Sequence, residues 1–262
     1  MKKSLLWIVV TAVLLSGQWA RADDEATDAL FQYSTINALL DGLYDGDLTI
    51  KQLSSFGDIG LGTVNGVDGE LIALDGEYYH VKADGRAYPL TPERETPFAV
   101  VKHFTTDHSE PLPANLDYPA LQQHLDKGIK TPNFFQAIRI DGTFASLKVR
   151  SIPKQSKPYR PLAEVVQDDQ VTFDYENAKG SLIGFRTPEY MKGLNVPGYH
   201  FHFLSEDRQY GGHVLALVTA EGAIRFDEAA DFHMALPEVE AFAELDLGAS
   251  RNKELDKVEK GQ

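Results

Sequence analysis

Apolar residues along the chain follow two rhythms, and the change between them predicts the layout of the protein. From Ala29 to Leu43, the residues Leu30, Ile36, Leu39, Leu40 and Leu43 recur at helical spacing, which predicts one helix ended by Asp45-Gly46-Asp47. Leu48 to Leu53 predicts a second short helical turn. From Gly57 to Tyr88 the rhythm shortens to strands punctuated by Asp68-Gly69, Asp75-Gly76 and Asp84-Gly85, with Glu70–Leu74 and Glu77–Val81 as the clearest pair. Phe98 to Phe104 predicts another strand. Tyr118 to Ile129, with Leu121 and Leu125 one turn apart, predicts a helix. Phe134–Ile140 and Thr143–Ile152 flank Asp141-Gly142 and predict a hairpin turning at that dipeptide.

The segment Pro153 to Pro161 is rich in proline and polar residues, and marks the expected boundary between an N-terminal β-rich subdomain, 23–155, and a C-terminal one, 156–262. A short helix starts at Leu162. Strands are expected at Gln170–Tyr175, Ser181–Phe185, Tyr199–Leu204, His213–Thr219 and Ala223–Phe226. Met234 to Leu245 is mixed, with Pro237 near a helix start. The last stretch, Arg251 to Gln262, is charged and lacks apolar periodicity, which predicts a solvated tail. The whole reads as α+β, strand-dominated, with peripheral helices outside the sheets.

The start of the chain changes the picture of where it works. Lys2 and Lys3 precede an apolar run from Leu5 to Leu15, and Ala20-Arg21-Ala22 offers a small-x-small cleavage site. This predicts a signal peptide, 1–22, and export to the periplasm or the medium. Loss of its three basic residues takes the formal net charge from −14 to −17. So negative a protein is a poor partner for nucleic acid or an anionic membrane. If the substrate is an anion, the site needs local positive charge, such as a metal ion and an arginine. The chain has no cysteine. Thiolate metal sites and cysteine nucleophiles are therefore excluded, and any metal rests on histidine and carboxylate.

Candidate chemistry concentrates in one segment, Gly198-Tyr199-His200-Phe201-His202-Phe203-Leu204, followed by a polar turn and Gly211-Gly212-His213-Val214. In a strand, His200 and His202 share one face, and Tyr199, Phe201 and Phe203 the other. If the strands pair as a hairpin, His213 returns beside them. Three converging imidazoles with a position left for water or substrate are the mark of a catalytic zinc site. The plain alternative is surface or backbone-bonded histidines. A cupin-like oxygenase or isomerase, with Glu206 as a further ligand, is a second alternative, and a non-catalytic exported metal binder a third. His80, His103, His108, His124 and His233 share no ligand spacing and are assigned to structure or surface.

The ordered set of motifs resembles the bacterial alpha-acetolactate decarboxylase family. The resemblance is carried by Phe31-Gln32-Tyr33-Ser34-Thr35, Gly60-Leu61-Gly62-Thr63, Val67-Asp68-Gly69-Glu70, Thr96-Pro97-Phe98-Ala99, Asp141-Gly142-Thr143-Phe144 and Arg150-Ser151-Ile152-Pro153. Its most specific stretch is Asn195-Val196-Pro197-Gly198 with the histidine segment that follows. The resemblance implies two mixed β-sheets with a metal site between them, and a homodimer joined through N-terminal sheets. It also implies a zinc carboxy-lyase that converts 2-acetolactate to (R)-acetoin and carbon dioxide, through a metal-stabilised enediolate protonated on one face.

By the same resemblance, His200, His202 and His213 are zinc ligands, and Glu70, Arg150 and Glu259 are catalytic. Pattern alone reads Glu70 as a strand-end residue facing water, and Arg150 as part of a solvated face with Ser146 and Lys148. In the tail, Glu254 and Glu259 are both candidates for a carboxylate folded back into the site, and Val258-Glu259-Lys260 is the better match.

Overall fold

A computed structural model describes residues 28–260. The predicted leader lies outside the described residues. In chain order the elements are β1 (Ala29–Tyr33), α1 (Ile36–Leu40), β2 (Leu48–Thr49), α2 (Ile50–Leu53), β3 (Ile59–Thr63), β4 (Glu70–Leu74) and β5 (Glu77–Val81). Then come β6 (Ala87–Pro89), β7 (Glu95–Thr96), β8 (Ala99–Lys102), β9 (His108–Pro111), α3 (Tyr118–Gly128), β10 (Phe135–Ser151) and α4 (Leu162–Asp169). The last are β11 (Val171–Thr187), β12 (Gly198–Ser205), β13 (Gly211–Ala229), β14 (Asp231–Ala235), α5 (Glu240–Ala243) and α6 (Asn252–Lys260).

A seven-stranded sheet has the order β14-β1-β8-β3-β4-β5-β6, and a five-stranded sheet the order β10-β11-β12-β13-β9. The first is mixed through the parallel pair β1–β14, while the second is antiparallel throughout. Because β10 also pairs with β13, strands β10 to β13 close a ring. One apolar cluster, including Leu30, Leu61, Ile72, Val100, Ile183 and Leu204, lies between the sheets. A second, including Phe144, Leu147, Phe201, Phe203, Val214 and Phe226, lines the other face of the ring. The sheets do not follow the expected division at 155/156. Strands β9 and β10 from the first part join the second sheet, and β14 from the second part joins the first.

The structure corrects three local readings. The predicted helix over Ala29–Leu43 is a strand and a helix, separated by Ser34 at φ 67°. All five residues of β1 are buried, so no polar positions alternate to reveal its period of two. Thr35 then caps α1, its side chain accepting from the Ala38 amide. The predicted hairpin at Asp141-Gly142 is absent, because β10 runs straight through. Gly142 pairs with Gly180 on one side and Gly222 on the other, and a Cβ on Gly142 would meet Glu221 O at 2.2 Å. This glycine serves close strand approach, not a turn. The tail, expected to be solvated, forms α6, with Leu255 and Val258 one turn apart and buried.

Candidate metal centre

The β12–β13 hairpin forms through a turn centred on Ser205. Its hydroxyl accepts from the amides of Gln209 (3.0 Å) and Tyr210 (3.1 Å) and donates to Asp207 (2.7 Å). That turn sets the register His202↔His213. His200 joins from the same face of β12, while Phe201 and Phe203 point into the apolar ring core. The imidazole centroids are 4.9–5.4 Å apart, and their ligand atoms lie within 4.8 Å of one another.

The backbone of the first sheet orients His202. Its Nδ1 donates to the Leu71 carbonyl at 3.0 Å, which leaves Nε2 unprotonated, buried and without a hydrogen-bond partner. His213 Nδ1 stands 3.1 Å from His200 Nε2, and its own Nε2 donates to the Glu259 carbonyl at 3.4 Å. Burial, reinforced by the Arg150 charge, pushes His200 down to about 3. Burial first, with nearby positive charge, holds His202 and His213 well below the ordinary histidine range. Three neutral imidazoles, one with a free buried lone pair, fit a zinc ion, which binds the unprotonated ring.

Three further side chains reach the cluster. Glu70 opens β4 and is buried, not facing water, with Oε2 at 3.5 Å from His202 Nε2. Burial raises its carboxyl to about 7, with Arg150 opposing and Glu259 adding to the rise. Arg150 is also buried rather than solvated. A register shift between Lys148 and Val149 sets it opposite His213. Its Nη1 donates to the Val258 carbonyl, and its Nε lies 4.0 Å from Glu70 Oε1. Glu259 comes from α6, with Oε2 at 3.8 Å from Nε2 of both His200 and His213. Burial raises it too, to about 7, against the Arg150 charge. Glu254 points elsewhere and pairs with Arg251 at 3.0 Å.

An inner chamber of about 40 Å³ is bordered by the three histidines, Glu70, Arg150 and Glu259, together with apolar side chains. An outer cleft of about 490 Å³ reaches His200, His213 and Glu259 from the surface. Tyr118 and Gln122, four residues apart on α3, line that cleft. Neither residue stands out in the sequence, although their i, i+4 spacing places both on one helix face. The other histidines stay apart: His80 bonds the Asp68 carbonyl, His108 stacks on Phe226, and His124 pairs with Glu110. Glu206, which a cupin-like ligand set requires, pairs with Lys179 at the surface.

Fold and cluster together define a class: a strand-dominated α+β protein with a histidine centre able to hold one metal ion, flanked by an arginine and two carboxyls. The alpha-acetolactate decarboxylase family model matches residues 30–249. The alpha-acetolactate decarboxylase of Methanosarcina mazei is 46% identical over 237 residues, covering 90% of this chain and 82% of that one. That of Klebsiella aerogenes is 41% identical over 221 residues, covering 84% and 85%. The crystal structure of the Bacillus subtilis strain 168 alpha-acetolactate decarboxylase matches with a TM-score of 0.86 at 35% identity, over 89% of this chain and 100% of that one. The chain belongs to the alpha-acetolactate decarboxylase family and is a carboxy-lyase. The span matched by the family model ends before α6, the helix that carries Glu259.

Proposed function

We propose that this protein decarboxylates 2-acetolactate to (R)-acetoin and carbon dioxide, with zinc held by His200, His202 and His213. The observation that carries the reading is the meeting of three neutral imidazoles with Glu70, Arg150 and Glu259 around one chamber, in a chain of this family. Zinc on those imidazoles would supply a Lewis acid to the hydroxyl and ketone oxygens of the substrate. Arg150 gives the anionic substrate a fixed positive charge inside a protein whose formal net charge is −14. When the bond to the carboxylate breaks, its electron pair moves toward the ketone oxygen and carbon dioxide leaves. A proton must then reach the carbinol carbon. Glu70 and Glu259, both raised to about 7, are suited to hold that proton near neutral pH and deliver it from one side. Water returns the proton to the carboxylate, so each turnover consumes one proton.

The test is one assay. Purified protein is given racemic acetolactate, and carbon dioxide and both acetoin enantiomers are measured before chelation, after it, and after zinc is restored. Zinc-restorable release of carbon dioxide with excess (R)-acetoin is expected. Full activity in the chelator would remove the metal from the mechanism. The leader-like start supports export, for which mature protein beginning at Asp23 in the periplasm or medium is the check. A homodimer joined through N-terminal sheets is the assembly the family reading supports, and sedimentation tests it.

A further inference from the structure

The residues that border the inner chamber are of two unlike kinds. One kind is the charged or titratable set of the centre. The other is hydrocarbon, supplied by Ile36 and Leu39 of α1, Phe98, Ile152, Leu162 of α4 and Val258 of α6, which belong to one apolar cluster and form an apolar wall. Thr63 also borders it, but its hydroxyl is already committed to the Gly69 carbonyl at 2.6 Å. That wall offers nothing to a carboxylate or hydroxyl, and burying either there without a partner is costly. At about 40 Å³ the chamber holds only a few water-sized groups, since one water needs roughly 10–15 Å³ on this measure. With the polar groups of the substrate drawn to the charged residues, so small a space leaves room on the hydrocarbon side for a short alkyl branch only.

We propose that the apolar wall is the subsite for the alkyl branch on the carbinol carbon, and that Leu39, Leu162 and Val258 limit that branch to about one or two carbons. The inference rests on the decarboxylase reading above. The carbon that loses its carboxylate has to face the glutamates that return a proton, which sets it against the charged residues. Its hydroxyl, acyl and carboxylate substituents find their partners there. Its remaining substituent, a methyl group in acetolactate, points to the hydrocarbon. Three separate helices supply the limiting residues, so no single element sets the size of the pocket.

The test compares kcat/KM for acetolactate with that for its homologue bearing ethyl in place of methyl at the carbinol carbon. One methylene in an apolar pocket changes discrimination by about 10–200-fold. Val258→Ala and Leu162→Ala should each shift the ratio at least about tenfold toward the ethyl substrate, and Val258→Ile should shift it away. Binding is measured in parallel by calorimetry, with non-reactive analogues of both substrates in which the ketone is reduced to an alcohol. If the ratio and the analogue affinities stay within twofold in all three variants, the subsite assignment is overturned. If wild type releases no carbon dioxide yet the variants still re-rank the analogues, the decarboxylase reading fails and the alkyl subsite stands.

Discussion

Gly212 lies so close to Arg150 that a Cβ on it would sit 2.5 Å from the Arg150 carbonyl oxygen. Its φ of +146° is also one that side-chain-bearing residues rarely adopt. The residue after it is His213, whose ladder partners are Arg150 and His202. Glycine at this point lets β13 approach β10 closely enough to bring a metal-ligand candidate and the buried arginine to one face. Gly212→Ala should therefore damage both stability and site geometry. Overpacking costs about 1–3 kcal/mol, and a chain of this size loses roughly 2–4 °C of Tm per kcal/mol. A drop of several degrees in the melt, with reduced zinc content, is the expected outcome. A variant that melts and binds zinc like wild type would show that the strands have slack here.

Zinc should act as a structural ligand as well as a chemical one. An ion at a thousandfold excess over its Kd stabilises the folded state by about 4 kcal/mol. Chelation is thus expected to lower the wild-type Tm by roughly 10 °C. His202→Ala should melt at the same temperature with and without chelator, and bind far less than one zinc per chain. Metal analysis and paired melts check this. A chelator shift that persists in His202→Ala would mean that the ion binds elsewhere.

How much of this was legible in the sequence depends on burial. The convergence of His200, His202 and His213 follows from alternation in β12 and a short polar turn, both local features. Glu70 and Arg150 lie on stretches whose pattern suggests a water-facing residue. Only the packing of β4 against β12 and the shifted register of β10 bring them inside, and no local rule encodes either. Asp141-Gly142 has the chemistry of a turn, yet Asp141 is occupied by Arg139, Ser181 and Arg225 in mid-strand. The tail carries two buried apolar residues, too few to register as a period, so α6 emerged only from the structure.

The pH dependence of the metal-free protein follows from the imidazoles. An unfolded histidine titrates near 6.5, whereas His200 is held at about 3 by burial. As pH falls, the unfolded chain takes up the proton first. The stability from neutral His200 is therefore complete above about 6.5 and is lost as pH drops toward 3. Glu70 and Glu259 act in the opposite sense: their raised values mean stability present at acid pH and lost as pH rises through about 7. His200→Gln isolates the first effect. Between pH 6.5 and 4.5 the chelated wild type should lose on the order of 2 kcal/mol more than the variant in urea unfolding. Parallel pH profiles for the two proteins would show that His200 is not held neutral.

Glu70 and Glu259 approach the histidines from distant parts of the sequence, one at the start of β4 and the other on α6 near the chain's end, and both are raised to about 7. A positioned general acid contributes about 10²–10⁴ in rate. Glutamine keeps the shape of the side chain but cannot supply the proton. In Glu70→Gln and Glu259→Gln, the variant that lacks the donor should lose about 10²-fold or more in kcat while KM and zinc content change little, and its product should drift toward racemic acetoin. The other should lose less and keep the product's handedness, because its carboxyl tunes the site by charge. Chiral chromatography of acetoin with steady-state kinetics separates the two. Retention of wild-type turnover and enantiomeric excess in both variants would exclude either glutamate as the proton source and leave bulk water as the donor.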